Sequence, residues 1–300
     1  MTVFAQDSKL VVPFVTVPTF KAHPTYLDLA NLRSGDSSQA DQDAELFNCL
    51  LMGSAYAENF CNQPLQAHLQ TDNRRLFVDR WGRLHLFADH GPVRTVLSYS
   101  YQTGPSSIAT SISTPPFWIE DGRHVTVDVG GSSVAWSGSL QLGAPSTSQE
   151  LFTSFTYVAA FANTVLINSP AGGASNIQVA NPTGIFAGDT LRIWEPGKEE
   201  SVVVGSSWAG QNTYPFTSAT IPLVGTTQFA HTAGAGVTGF DEDLLLATIY
   251  LTVDGLQRWG TSSANWPGAR VKSATGKKAE DASAWEQKAM RLLLSYRRVR

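Results

Sequence analysis

DAELFNCLLMGSAYAENFCNQPL, residues 43–65, decides how this chain is read. Ala44, Phe47, Leu51, Ser54, Ala55 and Glu58 recur at spacings of three and four, with Leu50 and Met52 beside them. That period predicts an amphipathic helix over about 40–61. Ser37, Ser38 and Asp41 stand ahead of it as caps, and Asp41, Asp43 and Glu45 suit the positive end of its dipole. Asn62, Gln63 and Pro64 stop it. Tyr56 and Phe60 are four apart and share a face, which is expected to anchor the helix end onto the strands that follow.

The same stretch holds both cysteines, Cys49 and Cys61. Twelve residues along one helix separate their backbones by about 18 Å. A disulfide needs Cα atoms within about 7 Å, so they do not pair while the helix stands. Cys61 reads as a small buried hydrophobe. There is no CxxC, and the six histidines are scattered, so no metal site is expected.

Outward from this helix the patterning changes. Residues 1–36 read as an extended N-terminal arm: MTVFAQDSKLVVPFVTVPTF lacks a basic start, and Pro13 and Pro18 interrupt it, unlike a signal peptide. From about 74 the period becomes two. RRLFVD (74–79) and RLHLFAD (83–89) read as a hairpin through Arg80, Trp81 and Gly82, and GPVRTVLSYSY (91–101) as a further strand. Candidate strands then follow at 123–129, 133–141, 151–158, 176–180, 190–195, 200–204 and 218–224, with GIFAGDTLRIWEPGKEESVVV (184–204) the clearest unit. A small β-barrel or sandwich is the natural packing for such strands.

At Phe240 helical spacing returns. Leu244, Ala247, Thr248, Leu251, Gly255 and Trp259 form one stripe. After a polar linker (261–278), Trp285, Ala289, Leu292, Leu293 and Tyr296 form another over about 280–296. A lone helix with a hairpin buries too little surface to fold by itself. The expected fold class is therefore α+β: a small bundle of the N-terminal helix and two C-terminal helices, a hairpin region, and an inserted barrel- or sandwich-like domain. In residues, 37–103 and 237–300 form the core and 104–236 the inserted domain.

Motifs for catalysis are weak. Asp241, Glu242 and Asp243 point in different directions and fit a helix N-terminus. GGSSV (130–134) is not a nucleophile elbow, and His85, His90 and His124 come with no nucleophile motif. No P-loop occurs, and the Gly pairs at 130–131 and 172–173 open no helix, so no nucleotide or other cofactor is implied. The 300 residues are 42% hydrophobic and 15% charged, with no run of apolar residues long enough to span a membrane.

The charge signal lies at the C-terminus. From Arg258 to Arg300 ten Lys/Arg face three acids, a local +7 that leaves −11 for the rest of a chain whose formal net charge is −4. Cations near a helix end are ordinary. Arg291, Tyr296, Arg297, Arg298 and Arg300 are nevertheless the candidate interaction residues, because Arg and Tyr dominate interface anchors. No helix-turn-helix, zinc finger or RNP pattern accompanies them, so no sequence-specific nucleic-acid reader is expected.

Three segments, in order, carry a family resemblance: DAELFNCLLMGSAYAENFCNQPL, LHLFADHGPVRTVLSYSY and GFDEDLLLATIYLTVDGLQRWG. They resemble the head–tail connector, or adaptor, proteins of tailed (siphophage-type) phages over about 40–102 and 238–260. That family often shows a helix ending in a Tyr/Phe–Cys pair, then hairpin strands, then a second helix after a Pro/Asp pair. Here Asp241 follows Phe240 and no proline is present.

The resemblance implies a structural virion protein made in the host cytoplasm. It implies a ring, generally of twelve copies, beneath the portal, which extends the DNA channel and offers the tail a docking face. Its partners would be the portal protein, neighbouring copies, a tail or stopper/neck protein and, in passing, viral DNA. Catalysis, cofactors and membranes are not implied. The alternatives are a neck or tail-completion protein at another layer, or a carbohydrate- or receptor-binding β module on a virion. In that module Trp118, Trp136, Trp194 or Trp208 would stack on sugars. A hydrolase in the β region ranks third.

Overall fold

The computed structural model describes residues 12–29, 32, 38–79, 81–104, 109–112, 117–128, 150–210, 217–259 and 278–298. The chain is α+β, with few helices and several small antiparallel sheets. Its helices are α1 (Val17–Ala22), α2 (Gln39–Cys61), α3 (Glu242–Trp259) and α4 (Lys278–Leu293), with a 3₁₀ turn at Leu294–Tyr296. No described helix is long and apolar enough to cross a membrane.

The chain divides into two units, one of which is Gln66–Phe161. Its strands are β1 (His68–Phe77), β2 (Arg83–Phe87), β3 (Val93–Gln102), β4 (Thr110–Ile112), β5 (Phe117–Glu120), β6 (His124–Asp128) and β7 (Glu150–Ala159). They pair as two sheets, β1-β7-β3-β4 and β2-β6-β5. Alternation sets the inner faces. Leu84 and Leu86 of β2, Val125 and Val127 of β6, and Leu151, Phe155 and Tyr157 of β7 share one core with Val96 and Tyr99 of β3. Asp72 is buried here and accepts from the Tyr157 hydroxyl (2.9 Å) and the Asp89 amide (2.8 Å).

The second unit holds residues Lys9–Leu65 and Ala162–Arg300. Its strands are β8 (Asn163–Val165), β9 (Asn176–Val179), β10 (Thr190–Trp194), β11 (Glu200–Val203), β12 (Ala219–Pro222) and β13 (Gly236–Thr238). They form the sheet β11-β10-β13-β8 and the pair β12-β9 over an aliphatic core that includes Ile177, Val179, Leu191, Ile193, Val204, Ile221 and Val237. Helix α3 is the centre of the helical part. Leu244, Leu245, Ala247, Ile249, Leu251, Val253 and Leu256 are all buried, leaving the stripe through Asp243, Leu246, Tyr250 and Gln257 partly open. It packs against α2 and α4.

Ser38 caps α2 in a reciprocal box: its hydroxyl accepts from the Asp41 amide while Asp41 accepts from the Ser38 amide at 3.0 Å. Asn62 ends the helix in the left-handed region at φ 55°. The buried face, however, is Leu46, Cys49, Leu50, Gly53, Ser54, Ala57 and Cys61. This corrects the expected stripe, which ran through Phe47 and Leu51. The reason is close approach of helix α3: a Cβ on Gly53 would stand 2.3 Å from Thr252 Oγ1. Small residues set the phase where two helix axes come near, and the large Phe47 is turned outward.

Three further expectations change. The hairpin over 74–89 is a turn between two sheets: the Asp79 amide donates to the Arg83 carbonyl at 2.9 Å, but β1 pairs with β7 and β2 with β6. The single insertion at 104–236 is split, because β7 ladders onto β1 and β3 whereas β8–β13 form their own core in the unit that holds the helices. The described part of the extended arm contains helix α1, with Pro18 in its first turn, where a missing N–H costs nothing. Phe14, Val15 and Phe20 are buried, and the Phe14 amide donates to Ser54 Oγ at 3.0 Å. The strand expected at 133–141, the GGSSV turn, Trp136 and most of the 261–278 linker lie outside the described residues.

Candidate interaction surfaces

The C-terminal residues singled out by charge end the second unit. Ala289 and Leu293 bury α4 against its neighbours, so Arg291 is left on the exposed side. Beyond α4 the chain turns back onto the end of α2. Gln63 Nε2 donates to the Tyr296 carbonyl at 2.7 Å, and the Arg298 amide donates to the Cys61 carbonyl at 2.8 Å. Tyr296 gives its hydroxyl to Asp241 Oδ2 at 3.2 Å, and burial together with Asp241 raises its pKa. The Arg297 guanidinium lies 5.3 Å over the Phe60 ring and is exposed. Arg300 lies outside the described residues.

Tyr56 and Phe60 therefore do not anchor α2 onto strands. Tyr56 donates to Glu286 Oε1 of α4 at 2.7 Å, and Phe60 meets Arg297. Cys49 and Cys61 are free and buried. Burial, with Glu45 beside one and Glu58 beside the other, pushes both thiols up to about 12. Neither is a nucleophile at neutral pH.

Between α2, α3 and α4 a cavity of about 230 Å³ is lined by Cys49, Met52, Tyr56, Leu251 and Leu256, among others. Met52 and Tyr56 at its mouth are 45% and 43% exposed. A hollow that sets apolar walls beside the carboxylates of Asp254 and Glu286, with large apolar side chains left in solvent at its rim, is suited to a contact surface.

In the same unit, His231 is fully buried between Glu195 Oε2 (3.0 Å) and Glu200 Oε1 (2.6 Å). Glu200 also accepts from the Gln228 and Phe229 amides. Burial alone would raise the Glu195 carboxyl, but the Thr232 amide, Lys198, His231 and the Thr232 hydroxyl outweigh it and lower its pKa. This cluster ties the 226–232 loop to the β10–β11 hairpin and is a clasp. The triplet 241–243 likewise opens α3, and Glu242 pairs with Arg192.

The other unit presents a surface that sequence reasoning did not assemble. On the outer face of β2-β6-β5 stand His85 and Phe87, Thr126 and His124, and Trp118 and Glu120, brought side by side by the register His85↔Thr126, Phe87↔His124, Trp118↔Thr126 and Glu120↔His124. Phe87, Trp118 and, at the 79–83 turn, Trp81 are 65%, 49% and 63% exposed. Phe87 stacks on His124 at 4.6 Å, and Arg83 lies 5.4 Å over Trp118. The two histidines meet at 3.1 Å, His85 Nδ1 to His124 Nε2. Of the other Trp residues named for sugar stacking, Trp194 is buried and donates to Thr238, and Trp208 donates to the Ile185 carbonyl. His90, the third strand histidine, pairs instead with buried His68 at 2.8 Å. The sequence signal for this face was RLHLF, whose alternation puts Arg83, His85 and Phe87 together; their partners on β5 and β6 depend on register.

No family model matches this chain, and no curated protein matches it. Among solved structures, a chain described as "Neck of empty GTA particle computed with C6 symmetry" aligns over 95% of this chain and 94% of that chain, at 14% identity and a TM-score of 0.34. At that score a shared fold is not demonstrated, and the likeness carries no weight for function.

Proposed function

We propose that this chain is a non-enzymatic structural protein of a tailed-phage particle, a head-to-tail connector that closes into a ring beneath the portal. The helical unit is the scaffold, and Arg291, Arg297 and Arg298 form its docking edge. The resemblance of residues 40–102 and 238–260 to connector proteins motivates the reading. The observation that carries it is the α2–α3–α4 cavity rimmed by exposed Met52 and Tyr56. A closing ring needs a head-to-tail interface, in which a hollow on one copy receives a different patch of the next.

The test is image averaging and native mass of the purified protein, alone and with portal rings. Met52→Glu is expected to abolish ring closure without unfolding the chain. Arg291→Gln, Arg297→Gln and Arg298→Gln together are expected to weaken portal binding and leave closure intact. Truncating α4 would be uninformative, because Ala289 and Leu293 belong to the core.

The second reading, a receptor- or carbohydrate-binding virion module, is favoured by the exposed Phe87, Trp118 and Trp81 of the β unit. A glycan array tests it: saccharide binding that Trp118→Ala removes would select it.

A further inference from the structure

The His85–His124 contact calls for a positive centre between the two rings. Each outer ring nitrogen is taken by a carboxylate: His85 Nε2 lies 3.1 Å from Asp79 Oδ2, and His124 Nδ1 lies 3.1 Å from Glu120 Oε2. An ionised carboxylate only accepts, so both outer nitrogens carry the proton. In two neutral imidazoles the inner nitrogens, His85 Nδ1 and His124 Nε2, then turn lone pairs toward each other across 3.1 Å. Such a contact is repulsive unless a positive centre sits between them, either a proton shared as in an imidazolium–imidazole pair or a metal ion.

The rings are also held in place. The Trp81 and Arg83 amides each donate to Asp79 Oδ1 at 2.8 Å. Phe87 stacks on His124 with the planes only 8° apart. Thr126 Oγ1 is 3.3 Å from His85 Nδ1 and adds an oxygen beside the pair.

We propose that His85 and His124 form a two-histidine site for a borderline divalent transition metal such as Zn²⁺, Ni²⁺ or Cu²⁺, clipping β2 to β6 on the exposed sheet face. Nitrogen ligands at about 2.0–2.1 Å from a metal, at bond angles between about 90° and 110°, stand about 2.9–3.4 Å apart. The observed 3.1 Å falls inside that window. A carboxylate on the far nitrogen of each ligand is the usual outer partner of a metal-bound histidine, fixing its tautomer and raising its basicity. Imidazole nitrogens select these ions over Mg²⁺ and Ca²⁺, which take oxygen.

The test is titration of the full-length protein with Zn²⁺, Ni²⁺ and Cu²⁺ by calorimetry, and with Cu²⁺ by electron paramagnetic resonance. One ion per chain is expected, in the order Cu²⁺ tighter than Ni²⁺ and Zn²⁺, with two nitrogen ligands in the copper spectrum and no Mg²⁺ binding. His85→Asn and His124→Asn should each weaken binding at least about tenfold, and Asp79→Asn or Glu120→Gln about 10–100-fold. His90→Asn is the control and should change nothing. Far-ultraviolet dichroism confirms that each variant is folded. No saturable binding below millimolar metal, or binding unchanged in the folded His85→Asn/His124→Asn double variant, would overturn the proposal.

Discussion

The Arg298 amide donates to the Cys61 carbonyl, closing a helix end with a segment 237 residues further along the chain. The last carbonyls of a helix have no partner within it. Here the Asn62 and Gln63 amides close onto Asn59 and Glu58, the Arg298 amide takes the Cys61 carbonyl, and the Gln63 side chain holds the Tyr296 carbonyl beside it. Gln63→Ala is expected to cost about 1 kcal/mol, the usual net worth of such a bond. Amide exchange should quicken at residues 59–63 and again at 294–298. Exchange that quickens at only one of the two segments would show that they do not hold each other.

Gly53 fixes how close α2 and α3 come. An added methyl meets Thr252 Oγ1 at 2.3 Å, and overpacking of this kind costs about 1–3 kcal/mol against the roughly 1 kcal/mol that alanine gains in a helix. Gly53→Ala is therefore expected to destabilise the protein in urea unfolding. In a Thr252→Ala background the next contacts are at 3.4 Å, so the same change should become neutral or stabilising. An equal loss in both backgrounds would place the strain elsewhere.

The clasp at His231 is expected to be the most sensitive polar site. Removing His231 takes one hydrogen-bond partner from Glu195 and one from Glu200, and a hydrogen bond to a charged group is worth about 1.5–3 kcal/mol. His231→Ala should lower the urea midpoint strongly and expose the 226–232 loop to limited proteolysis. Retained midpoint and protease resistance would mean that the loop is held by its backbone bonds alone.

Two sets of groups predict pH dependence of opposite sense. Burial pulls the pKa of His68 down to about 4 from an ordinary 6.5. The unfolded chain then takes up a proton first, so stability is full above pH 6.5 and falls as pH drops toward 4. His68→Gln should flatten that limb. Cys49 and Cys61 are pushed up to about 12 from 9. Their contribution is full below pH 9 and is lost as pH rises toward 12, where the unfolded thiols ionise first. Cys61→Ala should soften the alkaline limb and leave assembly intact.

Much of the fold was legible where period and caps agree. The Ser38 box, the Asn62 stop and helix α3 follow from side chains that act within a few residues of themselves. The buried face of α2 did not, because hydrophobicity ranks Phe47 above Gly53, while the neighbouring helix needs the smaller one. Domain division also escaped, since β7 joins β1 and β3 by ladders between strands far apart in the chain, which leave no local mark. Of the candidate sites, the arginines at 291, 297 and 298 rest on charge count alone. The His85–His124 face was hidden because only strand register puts the two histidines together.

The central claim is that copies of this chain close into a ring at the head–tail joint. Electron-microscope averaging of the purified protein mixed with portal rings tests it most directly. The expected result is a closed ring of this protein coaxial with the portal, lost in Met52→Glu. A folded monomer that joins no portal ring under any condition would contradict it.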